Sequence, residues 1–171
     1  MIFTAKKLLL LFIIVALYCN ANAQSTADST IKHSPLKTLN DAQYNALISG
    51  ADISGMSLAA ELNNYPLPDN VLKLKEELGL SAVQVSKISA IAKELHRKKL
   101  EMGLIIINNE RTLDSIFRYH RLDNGSLIFY ANRYGLYQGE LRNAILQACL
   151  ATHGLLTPQQ LKWFKGLHKA N

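Results

Sequence analysis

From Ser81 to about Tyr119 the chain has no proline and a single glycine, Gly103. Its apolar positions fall at Ile88, Ile91, Ala92, Leu95, Met102, Ile105, Ile106, Leu113, Ile116 and Phe117. That spacing returns to one face at 3.6 residues per turn and predicts one amphipathic helix about 55 Å long. The run Leu122-Asp123-Asn124-Gly125 reads as a turn, and a second long helix follows from about Ser126 to His153, with Gly154 as its stop. A final helix carries Leu161, Trp163, Phe164 and Leu167. Before these elements, residues 41–70 alternate short apolar clusters with Gly, Asn and Pro, which predicts one or two helical turns wrapped on the core. Pro66 and Pro68 form an extended elbow, followed by a short helix at about 69–78 that ends at Gly79. No segment alternates with the period of two that a half-buried strand requires. The expected class is all-α: a long antiparallel helical hairpin with short N- and C-terminal helices.

Two of the helix starts share a spelling. GLSAVQ at 79–84 and LLTPQQ at 155–160 each place Ser or Thr three residues before Gln. Ser81 or Thr157 can accept from the amide three residues on, while Gln84 or Gln160 reaches back to the cap amide, which makes each a capping box. Pro158 suits the first helical position, where its missing N–H costs nothing. These five residues are structural caps.

One feature of the hydrophobic pattern exceeds what a hairpin can cover. Leu104-Ile105-Ile106-Ile107 is four consecutive apolar residues, which point all around a helix. Either the short terminal helices or a second copy of the chain must shield them, and a homodimer is the expected solution.

The N-terminus limits which residues belong to the folded part. Lys6 and Lys7, the apolar run Leu8–Leu17 and the small-residue site Ala21-Asn22-Ala23 have the form of a secretory signal peptide cleaved near Ala23. The expected organisation is therefore a signal peptide over 1–23, a flexible leader over 24–40 and one all-α domain over 41–171. Loss of Lys6 and Lys7 lowers the formal charge from +6 to +4. A surplus that mild, on an exported chain, argues against nucleic acid as a partner and allows weak contact with an anionic membrane surface. Cys149 is the only cysteine after residue 19, so no intramolecular disulfide framework is available to the exported chain.

Two LTxxQ-type boxes at opposite ends of a helical hairpin, together with AAELNNYPLPDNVLKLKEELGLSAVQ, ERTLDSIF and LRNAILQACLATHGLLTPQQ, resemble the heavy-metal-resistance and periplasmic metal-sensor branch of the Spy/CpxP superfamily. The resemblance covers most of residues 41–168. It implies a hooked hairpin that pairs into a cradle-like dimer in the periplasm, and a role as an envelope-stress factor, an ATP-independent chaperone or a transition-metal sensor. Related sequences of that branch often carry His just after the Pro-rich elbow and a His-x-x-x-His pair before the last box. Asn70, Ile145 and Cys149 stand at those places in this chain.

Candidate chemistry is sparse. Cys149 and His153, four residues apart, share a helical face and could begin a zinc, copper, nickel or cobalt site if His96, His120, His168 or a second copy supplied a third ligand. The bland alternative is a buried cysteine beside a histidine at a helix end. His96-Arg97-Lys98-Lys99 and the pair Glu110 and Asp114 read as solvated charge. Phe117, Tyr119, Phe129, Tyr130, Tyr134 and Tyr137 gather aromatic rings around the hairpin tip, and with Leu104–Ile107 they form the candidate client or dimer surface. There is no nucleophile elbow, phosphate loop or zinc-hydrolase helix, so an enzyme is not expected. The leading expectation is an exported, non-enzymatic stress or metal-resistance protein that binds unfolded or envelope proteins. A periplasmic metal sensor or buffer, and a structural envelope protein without clients, are the alternatives.

Overall fold

In a computed structural model, residues 31–52 and 54–168 are described, the side chain of His168 excepted. The expected signal peptide, the first part of the leader and His168 as a ligand lie outside them. Six helices occur among the described residues: α1 (Asp41–Ser49), α2 (Leu58–Glu61), α3 (Pro68–Lys73), α4 (Ala82–Arg118), α5 (Asn124–Leu155) and α6 (Pro158–His168). No strand is present among these residues, as the absence of two-residue alternation predicts. None of the described helices is long and apolar enough to cross a membrane.

Capping boxes start four of these helices. Ser81 with Gln84 caps α4 and Thr157 with Gln160 caps α6, as expected. Asn40 with Gln43 caps α1, and Asp123 with Ser126 caps α5. The Asn40 box repeats the Leu-cap-x-x-Gln spacing with Asn as the cap, so its signal was present in the sequence. Gly79 takes the expected left-handed conformation at φ +57°, but the helix expected to run up to it, α3, ends at Lys73, and turns occupy 74–79. Gly154 does not: α5 runs through it to Leu155 and stops at Leu156, whose extended backbone (ψ 142°) turns the chain into the Thr157 box. A following cap with Pro158 at N1 ends α5 without a glycine hinge.

Helices α4 and α5 pack together along one continuous contact. Leu95 of α4 meets Ile145 and Ala148 of α5 in one cluster, and Asn109 Nδ2 donates to the Tyr130 carbonyl at 3.1 Å. A second cluster joins Val71 of α3, Leu78, Ile88 of α4, Leu156 and Phe164 of α6. Each fully buried aliphatic chain of this kind stabilises the fold by about 1.5–3 kcal/mol.

The N-terminal segment closes over α4. Gly103 is where α1 crosses, and a Cβ built there would lie 2.1 Å from the Leu47 carbonyl oxygen. The approach requires glycine. Leu36 and Leu39, within the segment expected to be a flexible leader, are buried against Ile107 instead, with Tyr44, Leu47 and Ile48 around them. Asp41 accepts from the Ser34 amide at 2.7 Å, and Lys32 N donates to Asn45 Oδ1 at 3.0 Å, so residues 32–40 are tied to α1. The expectation of a flexible leader is corrected for these residues.

That cover changes the meaning of the apolar belt. Ile106 and Ile107 are buried within this single chain, Ile105 is half-buried, and only Leu104, 56% exposed, faces outward. A second copy is not needed to shield the belt, and Ile106 and Ile107 are core rather than a client or dimer surface.

Candidate functional site

The two ends of the α4 and α5 pair differ in construction. At one end the two Gln-bearing boxes are joined. Gln84 Nε2 donates to Gln160 Oε1 at 2.9 Å and to the Leu155 carbonyl at 2.8 Å. Gln160 Nε2 donates in return to Gln84 Oε1 at 3.2 Å and to the Leu78 carbonyl at 3.3 Å. Each glutamine therefore closes its own box and also satisfies a carbonyl from the chain that precedes the other box. The Leu155 carbonyl at the end of α5 has no intrahelical partner and the Leu78 carbonyl lies in the turn before α4; each receives a donor from a residue more than 70 positions away. Read singly, each box looks like a local cap; the pairing has no signature in either box alone.

Next to this network lie Cys149 and His153. The Cys149 thiol is fully buried, and burial first, then the charge of Glu61, pushes its pKa up to about 11 while Lys99 partly offsets them. In the metal-free chain the neutral thiol is thus favoured. The His153 ring stacks on Tyr65 with centroids 4.2 Å apart. His96 is exposed on α4, and no group of three His, Cys, Asp or Glu side chains that could hold a metal occurs among the described residues.

The other end is open. From Glu110 to Ala144 not one residue is buried, although this stretch includes the last turns of α4 and the first five of α5. Phe117 (52%), Tyr119 (61%), Ile128 (51%), Phe129 (50%) and Leu136 (58%) present large apolar surface, and Leu127 and Tyr134 are exposed beside them. Tyr130 and Tyr137 are half-buried. The sequence explains this locally: Leu127-Ile128-Phe129-Tyr130 points all around α5, and a single neighbouring helix can cover only part of it. Arginines hold the rings. The Arg133 guanidinium sits 4.8 Å from the Phe129 centroid and 5.3 Å from that of Tyr137, and Arg121 lies 5.6 Å from Tyr119. Phe129 and Tyr130 meet edge to face at 5.1 Å. Arg118 pairs with Asp114, so one member of the acidic pair is engaged in an ion pair. Leu127, Ile128 and Leu136 were not among the expected surface residues. For Leu127 and Ile128 the signal was the unbroken apolar run itself.

Compared with protein-family models, with curated proteins and with solved structures, the chain gives no significant match.

Proposed function

We propose that this protein is an exported, non-enzymatic binding protein that holds other polypeptides on the open end of a long antiparallel helical hairpin, in the manner of the Spy/CpxP-like proteins it resembles. The observation that carries the reading is the Glu110–Ala144 stretch, where fifteen or so apolar and aromatic side chains find no buried environment. Isolated exposed apolar residues are ordinary on a soluble protein, but a contiguous aromatic surface is characteristic of interaction sites. Rings braced by arginine suit a surface that is wet when free and covered when bound: the ring faces supply apolar area, and the guanidinium groups remain solvated. Unfolded or envelope proteins, with apolar segments and no fixed shape, match such a surface. A second copy of the chain on the same surface would give the cradle that the resemblance implies.

The test is suppression of aggregation of a chemically unfolded client. The wild-type protein is expected to suppress it, and the pair Ile128→Ser and Phe129→Ser to do so weakly while melting at the same temperature. No suppression by a folded wild-type protein overturns the reading. The metal-sensor alternative draws no support from the buried, high-pKa thiol of Cys149, and a stoichiometric titration with zinc, copper, nickel or cobalt checks it directly.

A further inference from the structure

The turn that joins α4 to α5 differs from the rest of the open end in how its apolar residues are distributed. Phe117 and Tyr119 are exposed where α4 stops, and Leu127, Ile128 and Phe129 are exposed in the first turns of α5. Three consecutive helical residues spread over about 200° of the helix circumference, so these side chains ring the turn and do not line one face. A helix or strand laid against the turn reaches one side of such a ring, whereas a lipid interface surrounds all of it.

The backbone of the turn is satisfied from within. The Tyr119, His120 and Arg121 amides donate to the Ser115, Phe117 and Ile116 carbonyls at 3.1, 3.1 and 3.0 Å, with His120 in the left-handed region at φ 52°. Asp123 is occupied in its own capping box: its carboxylate accepts from the Ser126 amide at 2.7 Å, and its amide donates to Ser126 Oγ at 3.1 Å. Peptide groups bonded in this way can enter a region of low polarity without leaving donors bare.

Cations surround the apolar ring. Residues 117–133 hold Arg118, Arg121 and Arg133 against the single acid Asp123. A fourth cation comes from another segment: Lys37 lines an open recess with Phe117, Arg118 and Asp114, the last paired with Arg118. Lys37, Arg121 and Arg133 form no ion pair among the described residues. Arg121 lies over the Tyr119 ring and Arg133 over that of Phe129, a combination of ring and guanidinium that settles at the headgroup level of a bilayer. Clustered cations add attraction to an anionic surface and none to a neutral one.

We propose that this turn inserts into the interfacial layer of an anionic phospholipid bilayer, with Ile128 and Phe129 among the upper acyl chains and Lys37, Arg121 and Arg133 on the lipid phosphates. The contact is interfacial, since none of the described helices is long and apolar enough to cross. It goes beyond polypeptide binding and does not rest on it, because lipid contact is read with no client present.

Cosedimentation of the purified protein with vesicles tests it. Binding to vesicles of equal parts phosphatidylglycerol and phosphatidylethanolamine is expected, and pure phosphatidylcholine should bind at least about tenfold less. The pair Ile128→Ser and Phe129→Ser, and separately the pair Lys37→Gln and Arg121→Gln, should each weaken binding by about tenfold. Neither pair should lower the melting temperature, since all four positions are exposed. In a Phe129→Trp variant, emission should shift to the blue on the anionic vesicles and be quenched by brominated acyl chains, while Trp163 of the wild-type protein, on α6, should not respond. The inference is overturned if folded wild-type protein does not bind the anionic vesicles, if it binds phosphatidylcholine equally, or if either pair binds as wild type. It is overturned equally if the Phe129→Trp emission escapes quenching, whether or not the protein holds clients, because another surface would then carry the binding.

Discussion

The end of the α4 and α5 pair that carries the glutamines and the end that carries the aromatics are built from helices of the same kind, yet only one of them is packed. At the glutamine end, α3, α6 and the chain around Leu78 and Leu156 close over Ile88 and Val71, and two side-chain amides lock onto carbonyls from opposite ends of the domain. From Glu110 to Ala144 no residue is buried, and the two helices show apolar residues to water. A pair of helices can bury only the stripe between them. The difference shows that packed core and exposed apolar surface are allotted to separate lengths of the same two helices, so that loss of one need not entail loss of the other.

Moving a single charge between the two regions gives the widest separation. Ile88→Lys places an ammonium at a fully buried position of the glutamine end and should cost about 3 kcal/mol or more, enough to unfold the domain. Ile128→Lys, at a half-exposed position on the open end, should change stability by no more than about 0.5 kcal/mol. Chemical denaturation of both variants decides it, and similar losses would erase the distinction between the ends.

Gly103→Ala is expected to come next. In an exposed helix interior this change stabilises by about 1 kcal/mol. Here the new methyl would meet the Leu47 carbonyl, so α1 must shift and the sign should reverse to a loss of about 1–3 kcal/mol. A gain in melting temperature would mean that α1 does not sit where this packing requires.

The caps should rank below that, in a definite order. Gln160→Ala strips partners from Gln84, Leu78 and the Thr157 amide at once and should cost about 2 kcal/mol. Thr157→Ala removes one cap acceptor and should cost about 1 kcal/mol. In a double-mutant cycle, Gln84→Ala and Gln160→Ala should couple by about 1 kcal/mol. Additive losses would mean that the boxes act separately.

The smallest effect concerns Cys149. Its proton is held more tightly in the folded chain than in the unfolded one, so its contribution to stability is complete below pH 9.0 and declines as pH rises towards about 11. Thiol labelling of the native protein near pH 8 should be slow and should become fast on adding denaturant. Fast labelling of the native chain would place the thiol outside the packed end.

Elements set by local chemistry were legible in the residues. The 3.6-residue apolar period announced α4, the Leu122–Gly125 turn marked the start of α5, the Ser81 and Thr157 boxes marked the starts of α4 and α6, and Pro66 and Pro68 marked the entry to α3, because helix propagation, turns, capping and proline's fixed φ act within a few residues. The aromatic cluster near the turn was legible for the same reason. Contacts between distant segments were not. Nothing near Gln84 announces Gln160, nothing near Gly103 announces Leu47, and the four-residue apolar belt could not say whether a second copy or residues 36–48 would cover it. Hydrophobic burial is non-directional: a sequence shows that an apolar face needs cover, but which segment supplies it depends on where the whole chain places its parts.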